Sequence, residues 1–488
     1  MKDAFYIASV FAFLPIVFAG YWLLYYKRPN DIESPIRLWL QNLFVVIASY
    51  VFYGWWNWKF LILIVFTSVW AYFSGVILDR TTSTSKRKLI VALALVVNLG
   101  ILGYFKYYNF FLDSAVGLLS AMGFDAHPDS LKIILPVGIS FYTFQALSYV
   151  IDVYRKDIAA TKDIVAFLAF VSFFPQLVAG PIERATNLLP QFLKARHFDY
   201  PLAVDGCRQM LWGFFKKMVV ADTCAVAANT MLENAHASTI SLWVGVGCFA
   251  FQIYGDFSGY SDIAIGCSKL FGIRLMRNFD KPYFSRDIAE FWRRWHISLT
   301  TWFRDYLYIP LGGSRCGKMK KIRNTFAIFL VSGFWHGANW TFIAWGIFHA
   351  LCFLPLLLRG KNRVHVTDCV AKNKSIPSFN EFRAMCLTFV VSVIGWTFFR
   401  APDISTAGSW LAKMLSFSDL HIRQCGLGGL KRVALSLGVL LLIEWFNRGR
   451  DIPLLPANRV FRWMVYLATA MLIFWWQAEP QTFVYFQF

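Results

Sequence analysis

Of 488 residues, 57% are hydrophobic, 18% aromatic and only 16% charged, whereas a water-soluble domain carries about 25% charged residues. That balance excludes a soluble protein and makes lipid the expected solvent. The net charge of +20 does not point to nucleic acid, because Lys and Arg gather in short loops between apolar runs, as they do on the cytoplasmic face of multi-pass membrane proteins. Membrane lipids with anionic headgroups are the expected partners of those loops. The nine cysteines show no CxxC spacing. They read as small buried hydrophobes, with neither disulfides nor a metal site expected.

A helix needs ~20 apolar residues to cross a ~30 Å hydrocarbon core. On that measure the candidate spans are 4–26, 38–56, 60–78, 89–107, 133–151, 164–180, 208–228, 240–268, 325–358, 383–400, 433–446 and 463–477. The first has no small-residue cleavage site near its end and reads as a retained transmembrane helix. Basic residues flank the first connection (Lys27, Arg28, Arg37), the third (Arg80, Lys86, Arg87, Lys88) and the one around Arg155, Lys156 and Lys162. All three belong on the cytoplasmic side, which places the N-terminus outside. Some spans are too long or too broken for simple crossings, and broken backbone is tolerated only where protein or water lines it.

The 240–268 run contains Asp256 and Asp262. Carboxylates inside an apolar run either mark an ion or proton path or pair with Arg and Lys from the basic segment that follows. That segment, 274–323, holds twelve Lys or Arg against four acids, with aromatic residues throughout. In Phe291-Trp292-Arg293-Arg294-Trp295-His296, rings and cations alternate between the faces of an amphipathic helix that starts near Ser285, with Asp287 and Glu290 in its first turn. Two readings stand. One is an interfacial helix with Trp at headgroup depth; the other is a basic vestibule for a phosphate-rich donor such as a coenzyme A thioester.

The loop at 359–382 is also basic. If both flanks of 325–358 are cytoplasmic, that segment enters and returns as two short helices broken near Gly333-Phe334-Trp335-His336-Gly337-Ala338-Asn339. Gly333 and Gly337 then permit a close backbone approach or an unusual turn. The alternative is one long tilted helix.

Histidine takes and gives a proton near neutral pH. His127, His197, His236, His365 and His421 lie in polar surroundings and read as solvated. His296, His336 and His349 do not. His336 sits in an apolar run beside Trp335, with Asn339 near, and a buried imidazole there faces the bundle interior or a wet cavity. His349 reads as a packing residue. No GxSxG, Walker or dinucleotide-binding pattern stands in the right context.

Several ordered motifs carry a resemblance: Pro136-Val137-Gly138-Ile139-Ser140-Phe141-Tyr142-Thr143-Phe144-Gln145, Phe173-Phe174-Pro175-Gln176-Leu177 with Ala179-Gly180-Pro181-Ile182, Asp256-Phe257-Ser258-Gly259-Tyr260-Ser261-Asp262, Phe291 to Leu299, Trp335-His336-Gly337-Ala338 and Tyr485-Phe486-Gln487-Phe488. Over nearly its whole length the chain resembles the membrane-bound O-acyltransferase family, in its bacterial branch of alginate and cell-wall polysaccharide O-acetylation. The resemblance implies one membrane domain over 1–488, an all-α polytopic fold of about eleven transmembrane helices plus re-entrant and interfacial helices around a central tunnel, in the bacterial inner membrane. In the family pattern, a histidine in an apolar segment is the catalytic base, and His336 matches it. An upstream position that is Asn, Asp or His is matched by His296, on the donor side. Arg293, Arg294, Trp295, Arg304, Trp335 and Asn339 are the expected substrate-binding residues.

The expected activity is acetyl transfer from cytoplasmic acetyl-CoA to an extracytoplasmic polysaccharide, or to a periplasmic acetyltransferase partner, with no tightly bound cofactor and no metal. D-alanyl transfer to teichoic acid, an ion-coupled transporter using Asp256 and Asp262, and a scaffold for polysaccharide export are the alternatives.

Overall fold

The computed structural model describes residues 12–24, 35–124, 131–234, 237–366, 368–372, 374–416, 418–421, 427–450, 458–476 and 481–484. Among them, regular structure is helical throughout. The helices are α1 (Leu14–Leu24), α2 (Pro35–Asn57), α3 (Leu61–Arg80), α4 (Thr84–Ala121), α5 (Ile139–Arg155), α6 (Ile164–Ser172), α7 (Phe174–Leu177), α8 (Ala185–Phe192), α9 (Tyr200–Phe214), α10 (Asp222–Leu232) and α11 (Thr239–Leu270). They continue with α12 (Ile288–Arg294), α13 (Ile297–Phe303), α14 (Lys318–His336), α15 (Trp340–Leu358), α16 (Phe379–Arg400), α17 (Ile404–Ser416), α18 (Leu427–Phe446) and α19 (Arg459–Trp475). Two π-helical stretches, Phe215–Ala221 and Arg304–Tyr308, widen the winding between α9 and α10 and after α13.

Among the described residues, five stretches are long and apolar enough to cross a bilayer: Pro35–Arg80, Thr84–Ala121, Thr239–Leu270, Trp340–Leu358 and Phe379–Arg400. Large apolar side chains such as Ile62, Leu93, Val96, Leu387 and Leu467 are exposed on helix surfaces. Lipid is the solvent that tolerates this arrangement, and the chain is an all-α polytopic membrane protein.

Several boundaries depart from the hydrophobic runs. The expected span 89–107 lies inside α4, whose 38 residues make a helix about 57 Å long at 1.5 Å per residue. The expected span 164–180 is two pieces, because Phe173 leaves the helical conformation (ψ 108°) and Pro175 has no N–H with which to continue α6. Residues 325–358 do form two helices, but of 19 residues each rather than two short ones. The first begins at Lys318, because Lys and Arg are good helix formers and extend the apolar pattern backwards. Cysteine burial is also narrower than expected: Cys224, Cys248 and Cys267 are buried, while Cys207 and Cys386 are exposed.

The backbone forms two compact units, one of residues 1–207 and 264–276, the other of 208–263 and 277–488. In the first, α3 packs on α5 and α2 on α6. Its motif residues act as internal fasteners. Gln145 and Gln176 both donate to the Phe170 carbonyl, at 2.5 and 3.2 Å, and the buried Arg196 reaches Gln41 (2.9 Å) and Asn42 (2.6 Å). In the second, α14 lies against α15, and α15 against α16. All three non-loop histidines belong to this second unit.

Candidate active site

Residue 296 is where the local structure departs most from expectation. The amphipathic helix predicted through 291–296 stops at Arg294: Trp295 is extended and His296 is left-handed (φ 44°, ψ 55°). Such a conformation is uncommon for a side-chain-bearing residue and marks a constrained site. The rest of the predicted start holds, with Asp287 capping α12 through the Glu290 N–H at 2.7 Å. Two backbone hydrogen bonds fix the turn, from Asp280 N–H to the Arg294 carbonyl (2.9 Å) and from Ile297 N–H to the Asn278 carbonyl (2.8 Å).

Asn278 then sets the chemistry of the imidazole. Its Oδ1 accepts from the Ser298 backbone N–H (3.3 Å) and hydroxyl (2.9 Å), and lies 3.0 Å from His296 Nδ1. Because a backbone N–H only donates, that atom is the carbonyl oxygen, and His296 carries its proton on Nδ1. The Nε2 lone pair is left as the acceptor. Asn278 Nδ2 donates to Ser261 on α11 (3.1 Å), which anchors the amide.

His336 is the last residue of α14, and Asn339 caps α15 by accepting from Thr341 N–H at 3.0 Å. Gly333 and Gly346 let the two helices touch backbone to backbone: a Cβ at 333 would lie 2.2 Å from the Phe342 carbonyl oxygen, and one at 346 would lie 2.5 Å from that of Phe329. Gly337 is in ordinary extended conformation (φ −163°), so the break is no unusual turn.

The result is a histidine pair in an aromatic box. The His296 and His336 ring centroids are 6.4 Å apart, and both imidazoles are buried. Trp335 stands 6.0 Å from His296 and 5.0 Å from His336. Phe257 covers His296 at 4.6 Å, and Trp345 and Phe399 flank His336 at 5.2 and 5.3 Å. His349 is also buried, 5.0 Å from both Trp292 and Trp345. The arrangement sets two buried imidazoles side by side behind apolar rings, and imidazole is the side chain that takes and gives a proton in general acid–base chemistry.

The expected binding residues fall into distinct places. Trp295 is buried against Trp396 (4.8 Å) and Phe279 (5.1 Å), and Trp292 is buried too, so both tryptophans pack inside the protein. The Arg293 guanidinium donates to the Asn362 and His365 carbonyls (2.7 and 3.0 Å). Arg294 bridges Glu290 (2.9 Å) and Asp280 (3.3 Å). Glu290 also receives Arg286 at 3.0 Å. Burial pushes the Glu290 carboxyl up, but the Arg286 and Arg294 guanidinium groups outweigh it and hold the carboxyl below its usual range. Arg304 is half-exposed and paired with Asp305 at 2.6 Å. Asn339 donates to the Pro402 carbonyl at 2.8 Å besides capping.

Asp256 and Asp262 do pair with lysines, but not with those of 274–323: Lys217 is 2.8 Å from Asp256, and Lys216 2.5 Å from Asp262. The π-helical stretch carries both. His197 and His421 are exposed and His365 is half-buried, while His127, His236 and the Tyr485–Phe488 motif lie outside the described residues. Among the described residues no group of three His, Cys, Asp or Glu side chains is placed to hold a metal ion. Asn278, Phe257, Trp345 and Phe399 were not anticipated. Asn278 sits in a non-helical stretch with no periodic signal, and the three rings read as ordinary apolar residues.

The profile of the membrane-bound O-acyltransferase family matches residues 155–390, which include both histidines. The chain is 42% identical over 419 residues to a probable alginate O-acetylase of Pseudomonas syringae pv. tomato, covering 85% of this chain and 75% of that protein. It is 38% identical over 456 residues to a probable alginate O-acetylase of Pseudomonas putida, covering 91% and 88%. The chain belongs to the membrane-bound O-acyltransferase family. A peptidoglycan O-acetyltransferase of Helicobacter pylori is 35% identical to this acyltransferase over 440 residues, covering 85% and 80%. As a member of the family, the acyltransferase is a multi-pass membrane enzyme.

Proposed function

We propose that this enzyme moves an acetyl group from cytoplasmic acetyl-CoA, across the bacterial inner membrane, to a hydroxyl of an extracytoplasmic polysaccharide or of a partner acetyltransferase. The observation that carries the proposal is the buried His296–His336 pair, 6.4 Å between ring centroids, in a chain whose relatives are named for O-acetylation of alginate and peptidoglycan.

In the proposed reaction a ring nitrogen of His336 takes the acceptor hydroxyl proton as the oxygen attacks the thioester carbonyl. The tetrahedral intermediate collapses, the C–S bond breaks, and the coenzyme A thiolate recovers the proton. His296 offers Nε2 as an acceptor, which suits it to hold an N–H or O–H of the donor arm or to receive a proton. Trp295 and Trp335 wall the acyl path. Arg293 and Arg294 shape the basic segment, and Arg304 lies on the exposed side where a phosphate-rich donor would approach. Asn339 sets the α14–α15 break that carries His336.

Labelled acetyl-CoA supplied to the cytoplasmic face of proteoliposomes tests the reading. Wild type should release label from coenzyme A to the acceptor, and a folded His336→Ala variant should lose at least ~10²-fold. A His336→Ala variant as active as wild type would sink the catalytic assignment. Label moving only from a D-alanyl carrier would transfer the reading to teichoic acid.

A further inference from the structure

Outside the histidine box, a group of largely buried charges in the second unit surrounds Lys217. Its ammonium is 2.8 Å from both Asp222 and Asp256 and 3.2 Å from the Gln481 carbonyl oxygen. Asp256 accepts the Val484 N–H at 2.7 Å, and Asp222 accepts a backbone hydrogen bond from Gln481. Two carboxylates thus face one ammonium, and the backbone N–H groups of the 481–484 segment supply the remaining donors. Burying a charge is costly unless it is paired and hydrogen-bonded, so the cluster and the segment stabilise each other.

Local geometry explains the reach. Lys217 lies in the π-helical stretch, whose wider turn displaces side chains from ordinary helical register. Gly255 and Gly259 on α11 let that stretch approach closely: a Cβ at 255 would sit 2.9 Å from the Lys216 carbonyl oxygen, and one at 259 would sit 3.1 Å from the Lys217 backbone nitrogen. The held segment is not remote from the histidines. Phe483 is buried, with its ring 5.5 Å from Tyr260 and 6.5 Å from Phe257, and Phe257 lies edge-on to His296 at 4.6 Å.

We infer that Lys217, Asp222 and Asp256 form a buried clamp that docks the 481–484 segment behind Phe257, so that Asp256 is a positioning residue for His296. The inference rests on the acyl-transfer reading for its activity arm and on geometry alone for the clamp. Loss of the clamp loosens Phe483, frees the Phe257 ring to shift, and unsettles the imidazole it covers. Turnover then falls while donor binding is kept.

The test pairs hydrogen exchange with kinetics on the full chain in nanodiscs. In Asp256→Asn, amide exchange at 481–484 should quicken about tenfold, the effect of losing one charge-assisted hydrogen bond. The kcat for acyl transfer should fall at least about tenfold with the donor KM within twofold of wild type. Phe483→Ala touches none of the charged groups; it should leave exchange at 484 near wild type yet lower kcat similarly, which keeps the test valid if Asp256→Asn does not fold. Unchanged exchange in a folded Asp256→Asn variant would overturn the clamp. Fast exchange in Asp256→Asn together with wild-type kcat in both variants would overturn the positioning role. A wild type inert toward acetyl-CoA would instead defeat the functional reading, leaving exchange to decide the clamp.

Discussion

Asn278 accepts the Nδ1 proton of His296 across 3.0 Å while two donors of Ser298 hold the same oxygen in place. One amide therefore fixes ring orientation and tautomer together, and the basic lone pair is delivered at Nε2 by a residue that needs no contact with substrate.

Asn278→Ala should consequently lower acyl transfer about 10²-fold, the scale of misorienting a group in a reaction site. His336 is untouched in this variant. Labelled acetyl transfer compared with wild type checks it, and activity within threefold of wild type would show that His296 needs no tautomer lock.

The α14–α15 contact makes a second prediction. Gly333→Ala drives a Cβ to 2.2 Å from a backbone oxygen, which no rotamer change relieves, so stability should fall by about 1–3 kcal/mol. Gly100→Ala on α4 meets nothing within 4 Å and should be neutral or stabilising by about 0.5–1 kcal/mol. Thermal melts of both variants in one detergent compare them directly, and equal melting temperatures would contradict the close packing.

Glu290 should make the basic segment acid-sensitive. Its folded carboxyl titrates below the ordinary range, so it contributes stability above the unfolded value of about 4.3 and loses it as pH falls through the folded value. Glu290→Gln should lower the melting temperature at pH 7, and the gap to wild type should narrow below about pH 4. A gap that is constant with pH would mean the Arg286–Glu290–Arg294 arrangement contributes nothing electrostatic.

Asp262 carries a different expectation. Its carboxylate lies 2.5 Å from Lys216, and the acyl-transfer reading expects it to act as a structural counter-charge. Proteoliposomes of wild type and Asp262→Asn should show the same passive proton leak with a lumenal pH dye, while Asp262→Asn melts at a lower temperature. A proton or sodium flux abolished by Asp262→Asn would revive the transport reading.

Hydrophobic runs were enough to find most helices, since each crossing segment must satisfy its own backbone. The basic loops on both flanks of 325–358, with its glycines, placed a break near Gly333–Asn339, and the chain leaves the first helix at His336 and enters the next at Trp340. Neither signal could reveal the turn at 295–296. Composition made 291–296 look like one amphipathic helix, but hydrogen bonds from Asp280 and to Asn278, eighteen residues upstream of His296, pull the chain out of helical conformation. The same limit misassigned the partners of Asp256 and Asp262: the basic segment that follows them in sequence is 274–323, whereas the packing of the π-helical stretch on α11 brings Lys216 and Lys217. Trp292 and Trp295 point inward for a related reason, since α12 packs on α15 and α16.

The left-handed backbone at His296 has a consequence for heredity as much as for chemistry. Apart from glycine, the residues that adopt this conformation most readily are Asn, Asp and His. The turn alone therefore excludes most apolar replacements at 296 at little cost to Asn, Asp or glycine, and only a side chain that also reaches Asn278 keeps the hydrogen bond.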